Sequence, residues 1–298
     1  MLEAWDSIQF FLLILLRYLL ILVVSYLFAA VTFPALIRLF SEAGLVKPNF
    51  RKEQIPASAG VLFAVALPTI TGLGIILRAP SFTAVHSYLF LFVIVAMGFM
   101  GFFDDQLGSH EVKGFAGHFR ALFLEKRLTS GVFKAFFGAI TALIFSLGTM
   151  ELLKVKWPLW SVIINFLLVT LAANTINIFD LRPGRAGKIY LFIFAVIVLC
   201  GVYYEDYLGL FLPILAIMLY YLPFDLKAKV MMGDSGANLL GASLGMMMAW
   251  MFDDIRKIIA LVILALIQIA AEKVSFTEII ENSSWLKKLD EAGRSKEP

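Results

Sequence analysis

The sequence predicts an all-α, polytopic integral membrane protein, and three observations carry that prediction. Of its 298 residues 61% are hydrophobic and only 16% are charged, too little polar surface for a soluble globule of this length. The apolar residues form continuous runs of helical length, and a bilayer, which offers backbone groups no water, accepts only helices or closed barrels. Short polar breaks separate these runs and carry most of the charge.

Nine spans follow in order: 18–39, 58–77, 86–103, 131–149, 157–176, 189–204, 208–222, 237–252 and 255–271. The shorter ones need tilt or borrowed flanking residues to cross. Ahead of the first, 5–16 is also apolar, and Arg17 marks the outer interface by snorkelling. That first run does not read as a cleavable signal, because its front end is acidic and no small-residue cleavage site follows. The single cysteine, Cys200, lies in an apolar run as a small packed residue. Residues 1–271 therefore form one membrane domain. The remainder, 272–298, is an amphipathic tail: Ser275 to Glu278 has capping-box form, and Phe276, Ile279, Ile280, Leu286 and Leu289 share a helical face suited to the inner leaflet.

Orientation follows from the cations. With the N-terminus outside, the inner segments hold eighteen of the 25 lysines and arginines, among them Lys47, Lys52, Lys113, Arg182 and Arg185, whereas the outer segments hold five. A net charge of +3 thus conceals a basic inner face suited to anionic headgroups or a phosphorylated substrate. Nucleic acid is not implied.

Three acidic clusters sit where apolar runs end, all on that face. Asp104 and Asp105 point about a hundred degrees apart on a helix end, so one can ligate a cation while the other handles a proton; closing a helix at the interface is the alternative. Asp253 and Asp254 form a similar pair on the outer side, where closing a helix is the favoured reading. Asn174, Asn177 and Asp180 recur three residues apart on one helical face, and their amides need partners, either a sugar or nucleotide or a neighbouring helix. Arg182, Arg185 and Lys188, around Pro183 and Gly184, suit a pyrophosphate or simply set topology. Asp234, in Met232-Gly233-Asp234-Ser235-Gly236, falls at a loop-to-helix junction, where free N–H groups attract phosphate and a carboxylate can hold Mg²⁺ against it. The small residues Gly241, Ala242, Ser243 and Gly245 let another helix approach closely. His110 and His118 read as loop residues, and no histidine spacing points to zinc.

In this order, Asp104-Asp105, Asn174-x-x-Asn177-x-x-Asp180 and Gly233-Asp234-Ser235-Gly236 resemble the polyprenyl-phosphate N-acetylhexosamine-1-phosphate transferases, the family that includes phospho-N-acetylmuramoyl-pentapeptide transferase. Lys52 with Pro56 and Gly60, Lys113-Gly114, and Leu128-Thr129-x-Gly131-x-x-Lys134 extend the likeness, which covers about 35–245. The resemblance implies Mg²⁺-dependent transfer, with Mn²⁺ as a substitute, of a sugar 1-phosphate from a UDP-sugar to polyprenyl phosphate, with release of UMP. It implies catalytic roles for Asp104, Asp105 and Asp180. It also implies metal ligation by Asp234 with Asp105 as a second ligand, and substrate contacts from Lys52, Lys113, Lys134, Asn174, Asn177, Arg182 and Arg185. The implied setting is a bacterial-type cytoplasmic membrane, and the implied assembly a homodimer. The chain departs from the family pattern at Leu181 and Pro183, where a glycine and a second aspartate usually stand, and it has no histidine after His118. A relative that binds these substrates without turnover is the alternative, and a secondary transporter a more distant one, since no two halves of the sequence match.

Overall fold

The structure, a computed structural model, describes residues 2–79, 81–108, 129–153, 158–201 and 207–295. Among them nine helices of 16 residues or more follow one another: α1 (Leu2–Glu42), α2 (Val61–Ile76), α3 (Ala84–Leu107), α4 (Ser130–Leu153), α5 (Pro158–Phe179), α6 (Arg185–Cys200), α7 (Leu208–Leu226), α8 (Gly233–Met251) and α9 (Asp254–Lys273). Each expected span falls on one of them. Five (α1, α3, α4, α5 and α7) are long and apolar enough to cross a membrane. The count rises to six if α9 and the short helix after it, α10 (Phe276–Asn282), bent by 87°, form one span. The chain is a polytopic helical membrane protein, although length and apolarity support fewer crossings than the nine expected. At 16 residues α2 and α6 are about 24 Å long, shorter than the hydrocarbon layer, and α8 is diluted by glycine, serine and asparagine.

Helix α1 is one continuous helix through Arg17, so the apolar run at 5–16 and the first span are one element. Its 41 residues reach about 60 Å, well beyond the thickness of a bilayer core. Helix α8 is the centre of the bundle, with every side chain from Ser235 to Met251 buried, and it lies between α3 and α5. Its small residues permit this: a Cβ on Gly241 would meet Ala172 O at 2.3 Å, and one on Gly245 would meet Val169 Cα at 2.5 Å. The small-residue face is therefore filled by α5 of the same chain and gives no argument for a dimer.

A two-stranded hairpin, β1 (Val46–Pro48) and β2 (Gln54–Pro56), follows α1 and pairs antiparallel with Val46 opposite Pro56. Asn49 shapes its turn by accepting from Arg51 N (2.8 Å) and Glu53 N (3.0 Å) while donating to Ala228 O (3.1 Å). The chain then runs beside the loop that leads into α8: Met231 N donates to Pro56 O (2.9 Å), Ala59 N to Met231 O (2.8 Å) and Gly60 N to Met232 O (3.0 Å). A Cβ on Gly60 would come within 2.2 Å of Gly236 Cα, so only glycine lets the two backbones meet there.

Beyond α9, Ser275 accepts from Glu278 N as a helix cap, as the capping-box form predicts. The tail is not one helix, however, but two, α10 and α11 (Ser284–Glu291), broken at Ser283.

Candidate active site

The three acidic clusters meet at the N-terminus of α8. An α-helix leaves its first N–H groups without intrahelical partners, and here an aspartate from another helix takes two of them. Asp105, on α3, accepts from Asp234 N at 2.9 Å through Oδ1 and from Ser235 N at 3.2 Å through Oδ2. Asp180, just past α5, lies near the Gly233 N–H. Gly233 has a φ of +70°, and a Cβ there would lie 2.5 Å from Asp105 Oδ2, so glycine is needed on both counts. Gly101, one turn before Asp105, would place a Cβ 2.1 Å from Asp234 O, which shows how tightly α3 presses on this junction.

Beside the junction lies the most concentrated charge. Lys134, from the first turns of α4, pairs with Asp234 and lies 3.6 Å from Asp104 Oδ2. The carboxylates of Asp104 and Asp234 are within hydrogen-bonding reach of one another. With its amide nitrogen turned toward the carboxylate, Asn177 donates to Asp234 Oδ1 (2.7 Å) and accepts from Lys134 Nζ (3.2 Å). Asn238, one turn into α8, donates to Asp234 O at 2.8 Å. These groups form one end of a cavity of about 600 Å³ whose remaining wall includes Met97, Gly138 and Phe166. From Asn177 to Phe166 the cavity follows α5 for about 16 Å, so a charged end opens into an apolar slot between helices.

A second cavity, of about 310 Å³, lies on the other side of Asp234. Asp180, Arg182, Asp225, Asn49 and Phe50 line it. Burial raises the Asp180 pKa well above the ordinary carboxylate range, and the charges of Asp225, Asp234 and Asp105 push it further, against the Gly233 N–H, which lowers it. An acid held this way gains from any cation that reaches it.

The structure thus brings Asp104, Lys134, Asn177 and Asp234 into contact, sets Asp105 behind them as the cap of α8, and places Asp180 and Arg182 on the neighbouring cavity. Other expected site residues stand elsewhere. Asn174 bonds Gln268 Oε1 on α9 (2.5 Å) at the rim of the larger cavity, the helix-to-helix alternative for that residue. Lys52 sits exposed on the hairpin turn and lines neither cavity. Arg185 is buried against Asp290 of the tail, and Lys113 lies outside the described residues. Among the described residues no three Asp, Glu, His or Cys side chains converge as a metal set; Asp104 and Asp234 are the pair a cation could bridge. Three residues near the site escaped sequence reasoning. Lys47 donates to Asp105 O at 3.0 Å, and Gln106 donates to Ser58 Oγ at 3.1 Å, tying α3 to the first loop. Asp225 is the third, and its signal was available: like the other aspartates it stands where an apolar run ends, three residues past 208–222, and it is buried there.

Comparison with known proteins agrees with this arrangement. The sequence model of glycosyl transferase family 4 matches residues 87–252, more than half of the chain, and the match runs from α3 through α8. The chain belongs to glycosyl transferase family 4. It is 28% identical over 208 residues to a phospho-N-acetylmuramoyl-pentapeptide-transferase of Petrotoga mobilis, an alignment that covers 65% of this chain and 60% of the relative. It is 27% identical over 192 residues to the protein of the same name from Fervidobacterium nodosum, with 64% and 57% covered. The aligned part thus spans about six-tenths of either relative. In this family 4 chain the matched region supplies Asp104, Asp105, Lys134, Asn177, Asp180 and Asp234, whereas the hairpin and the tail lie outside it.

Proposed function

We propose that this chain transfers a sugar 1-phosphate from a UDP-N-acetylhexosamine-type donor to polyprenyl phosphate, such as undecaprenyl phosphate, at the cytoplasmic face of the membrane, and that UMP is released. The observation that carries the proposal is the larger cavity, whose apolar slot between α3, α4, α5 and α8 ends on Lys134, Asn177, Asp104 and Asp234. A lipid with a phosphate head suits such a site: the chain replaces water on Met97 and Phe166, and the head meets the ammonium. The neighbouring cavity, with Asp180 and Arg182, is offered to the nucleotide. The names of the two relatives, the family and the basic inner loops support the same reading.

In the reaction an oxygen of the lipid phosphate attacks the β-phosphorus of the donor. The bond from that phosphorus to the UMP oxygen breaks, UMP leaves with the electron pair, and the sugar 1-phosphate stays on the lipid. Little covalent work falls to the protein, so placement and charge neutralisation supply the catalysis. Lys134 holds the attacking phosphate as a point charge. Asn177 fixes the orientation of both Lys134 and Asp234. Asp105 holds Asp234 in place through the backbone of α8.

Two carboxylates against one ammonium leave the cluster net negative, which would repel two anionic substrates. Asp104 and Asp234 would hold a divalent cation, which would offset this excess of negative charge. Mg²⁺, or Mn²⁺ in its place, would neutralise the pyrophosphate as the bond to UMP breaks.

The test is UMP release by the full chain from a panel of UDP-N-acetylhexosamines with undecaprenyl phosphate and Mg²⁺. Release with one donor, lost in Asp234→Ala, supports the reading. Tight binding of either substrate without release by the native protein would instead identify a relative that binds and does not turn over.

A further inference from the structure

We propose that the C-terminal tail is a working part of the donor cavity: Asp290, by clamping Arg185, positions the turn of Leu181, Arg182 and Pro183 on the cavity wall. The inference deepens the nucleotide reading above and rests on it.

The turn between α5 and α6 is short of bonds of its own. Asp180 N donates to Asn177 O (3.2 Å), Leu181 N to Phe179 O (2.9 Å) and Arg185 N to Arg182 O (3.1 Å), while Gly184 reverses the chain with a φ of +73°. The tail supplies what is missing. Arg185 donates from Nε to Asp290 Oδ1 (2.8 Å) and from Nη2 to Asp290 Oδ2 (2.9 Å), a two-point clamp that fixes angle as well as distance. Its Nη1 donates to Thr277 on α10 (2.9 Å). Arg294 pairs with the same Asp290 at 3.1 Å and donates from Nε to Pro183 O at 3.0 Å, gripping the turn by its backbone. Lys188 donates to Leu289 O (3.0 Å) and Asp290 O (2.6 Å). Arg182 meets Glu281 (2.9 Å) at the rim.

Burial separates this clamp from an ordinary surface pair. The side chains of Arg185 and Asp290 are 3% and 9% exposed, so losing one partner leaves a buried charge alone and the turn must move to rehydrate it. Leu181, Arg182 and Pro183 all line the 310 Å³ cavity, so a displaced turn changes that cavity and leaves the Lys134 end of the larger one untouched. The tail also lies beyond the stretch matched to the family, 87–252. The donor side of this chain is thus braced by a segment from outside the shared core.

The experiment uses the full chain in proteoliposomes, with UMP as the binding probe and native protein, Asp290→Ala and Asp290→Glu compared. The expected result is UMP affinity at least tenfold weaker in Asp290→Ala and within about threefold of native in Asp290→Glu, with the KM for undecaprenyl phosphate unchanged in both. A merely structural tail would lower the active fraction, and so the apparent kcat, without moving UMP affinity in the protein that remains folded. UMP affinity unchanged in folded Asp290→Ala overturns the proposal and leaves the transferase reading standing. UMP binding that depends on Asp290, in a protein that releases UMP from no donor, upholds the proposal and sinks the transferase reading. Should Asp290→Ala fail to fold, Asp290→Glu and Asp290→Asn carry the comparison, and native affinity in Asp290→Asn overturns the proposal.

Discussion

Replacing Lys134 by methionine keeps most of the length of the side chain and removes the charge that Asp104 and Asp234 share. At 3.6 Å and an effective dielectric near 20, the attraction to Asp104 alone is about 4–5 kcal/mol before desolvation is subtracted. The side chains of Lys134, Asp104 and Asp234 are 22%, 19% and 25% exposed, so water screens part of that attraction and ion desolvation offsets more. A net loss of about 1–3 kcal/mol on Lys134→Met follows, most of it from two carboxylates left facing each other. The same two carboxylates are then free to take a divalent cation. Thermal unfolding of the purified protein should show Lys134→Met below the native midpoint without Mg²⁺, with the gap narrowing as Mg²⁺ is added. At tenfold excess over its dissociation constant the cation contributes about 1.4 kcal/mol. Turnover should fall by about 10²–10³, the scale of losing one charge-stabilising group. A variant as stable as the native protein, with no greater response to Mg²⁺, would refute the assignment of Lys134 as the cation between the two acids.

Other substitutions probe the remaining parts of the site. Asp180→Asn should raise thermal stability while abolishing most turnover; because the folded-state pKa of Asp180 lies above its unfolded value, the native protein loses stability as pH rises through that range, so the gain should be largest near pH 8 and shrink toward pH 4. Gly101→Ala forces a Cβ against the Asp234 backbone and should cost about 1–3 kcal/mol or more in the same unfolding assay, whereas Gly138→Ala, whose nearest neighbour is Met97 Cε at 3.9 Å, should be nearly neutral. Burial works to raise the Asp290 pKa, but hydrogen bonds and charge from Arg185 and Arg294 prevail and lower it. Docking of the tail therefore gains stability above the ordinary carboxylate pKa and loses it as pH falls through the depressed value, so limited proteolysis should find the tail protected at pH 6 and released only well below pH 4.

The helical bundle was legible because continuous apolar runs have one solution in lipid, and every expected span lies on a helix. The number of crossings was less so, since α2 and α6 are apolar but, at 16 residues, short for a bilayer, and glycine, serine and asparagine dilute α8. The clusters around Asp104, Asp180 and Asp234 were legible as acids at the ends of apolar runs. Their division of labour was not. That Asp105 would turn away to cap α8 depends on Gly101 and Gly233 letting α3 and the loop close in, a contact across about 130 residues. The hairpin at Val46–Pro48 has no alternating pattern of its own and is held by the backbone at 231–232. Arg185 reads as a phosphate ligand from its neighbours in sequence, and only the fold brings Asp290, 105 positions away, to satisfy it.

The central claim is that the charged end of the apolar slot joins a lipid phosphate to the β-phosphorus of a UDP-sugar. The most direct measurement supplies donor labelled with ³²P at the β-phosphate, together with undecaprenyl phosphate and Mg²⁺, and follows where the label goes. The label should pass into the lipid phase in step with UMP appearing in water, and it should stay behind when Asp234 is replaced by alanine. Label remaining in the aqueous phase while both substrates are bound, or moving equally well without Asp234, would contradict the account.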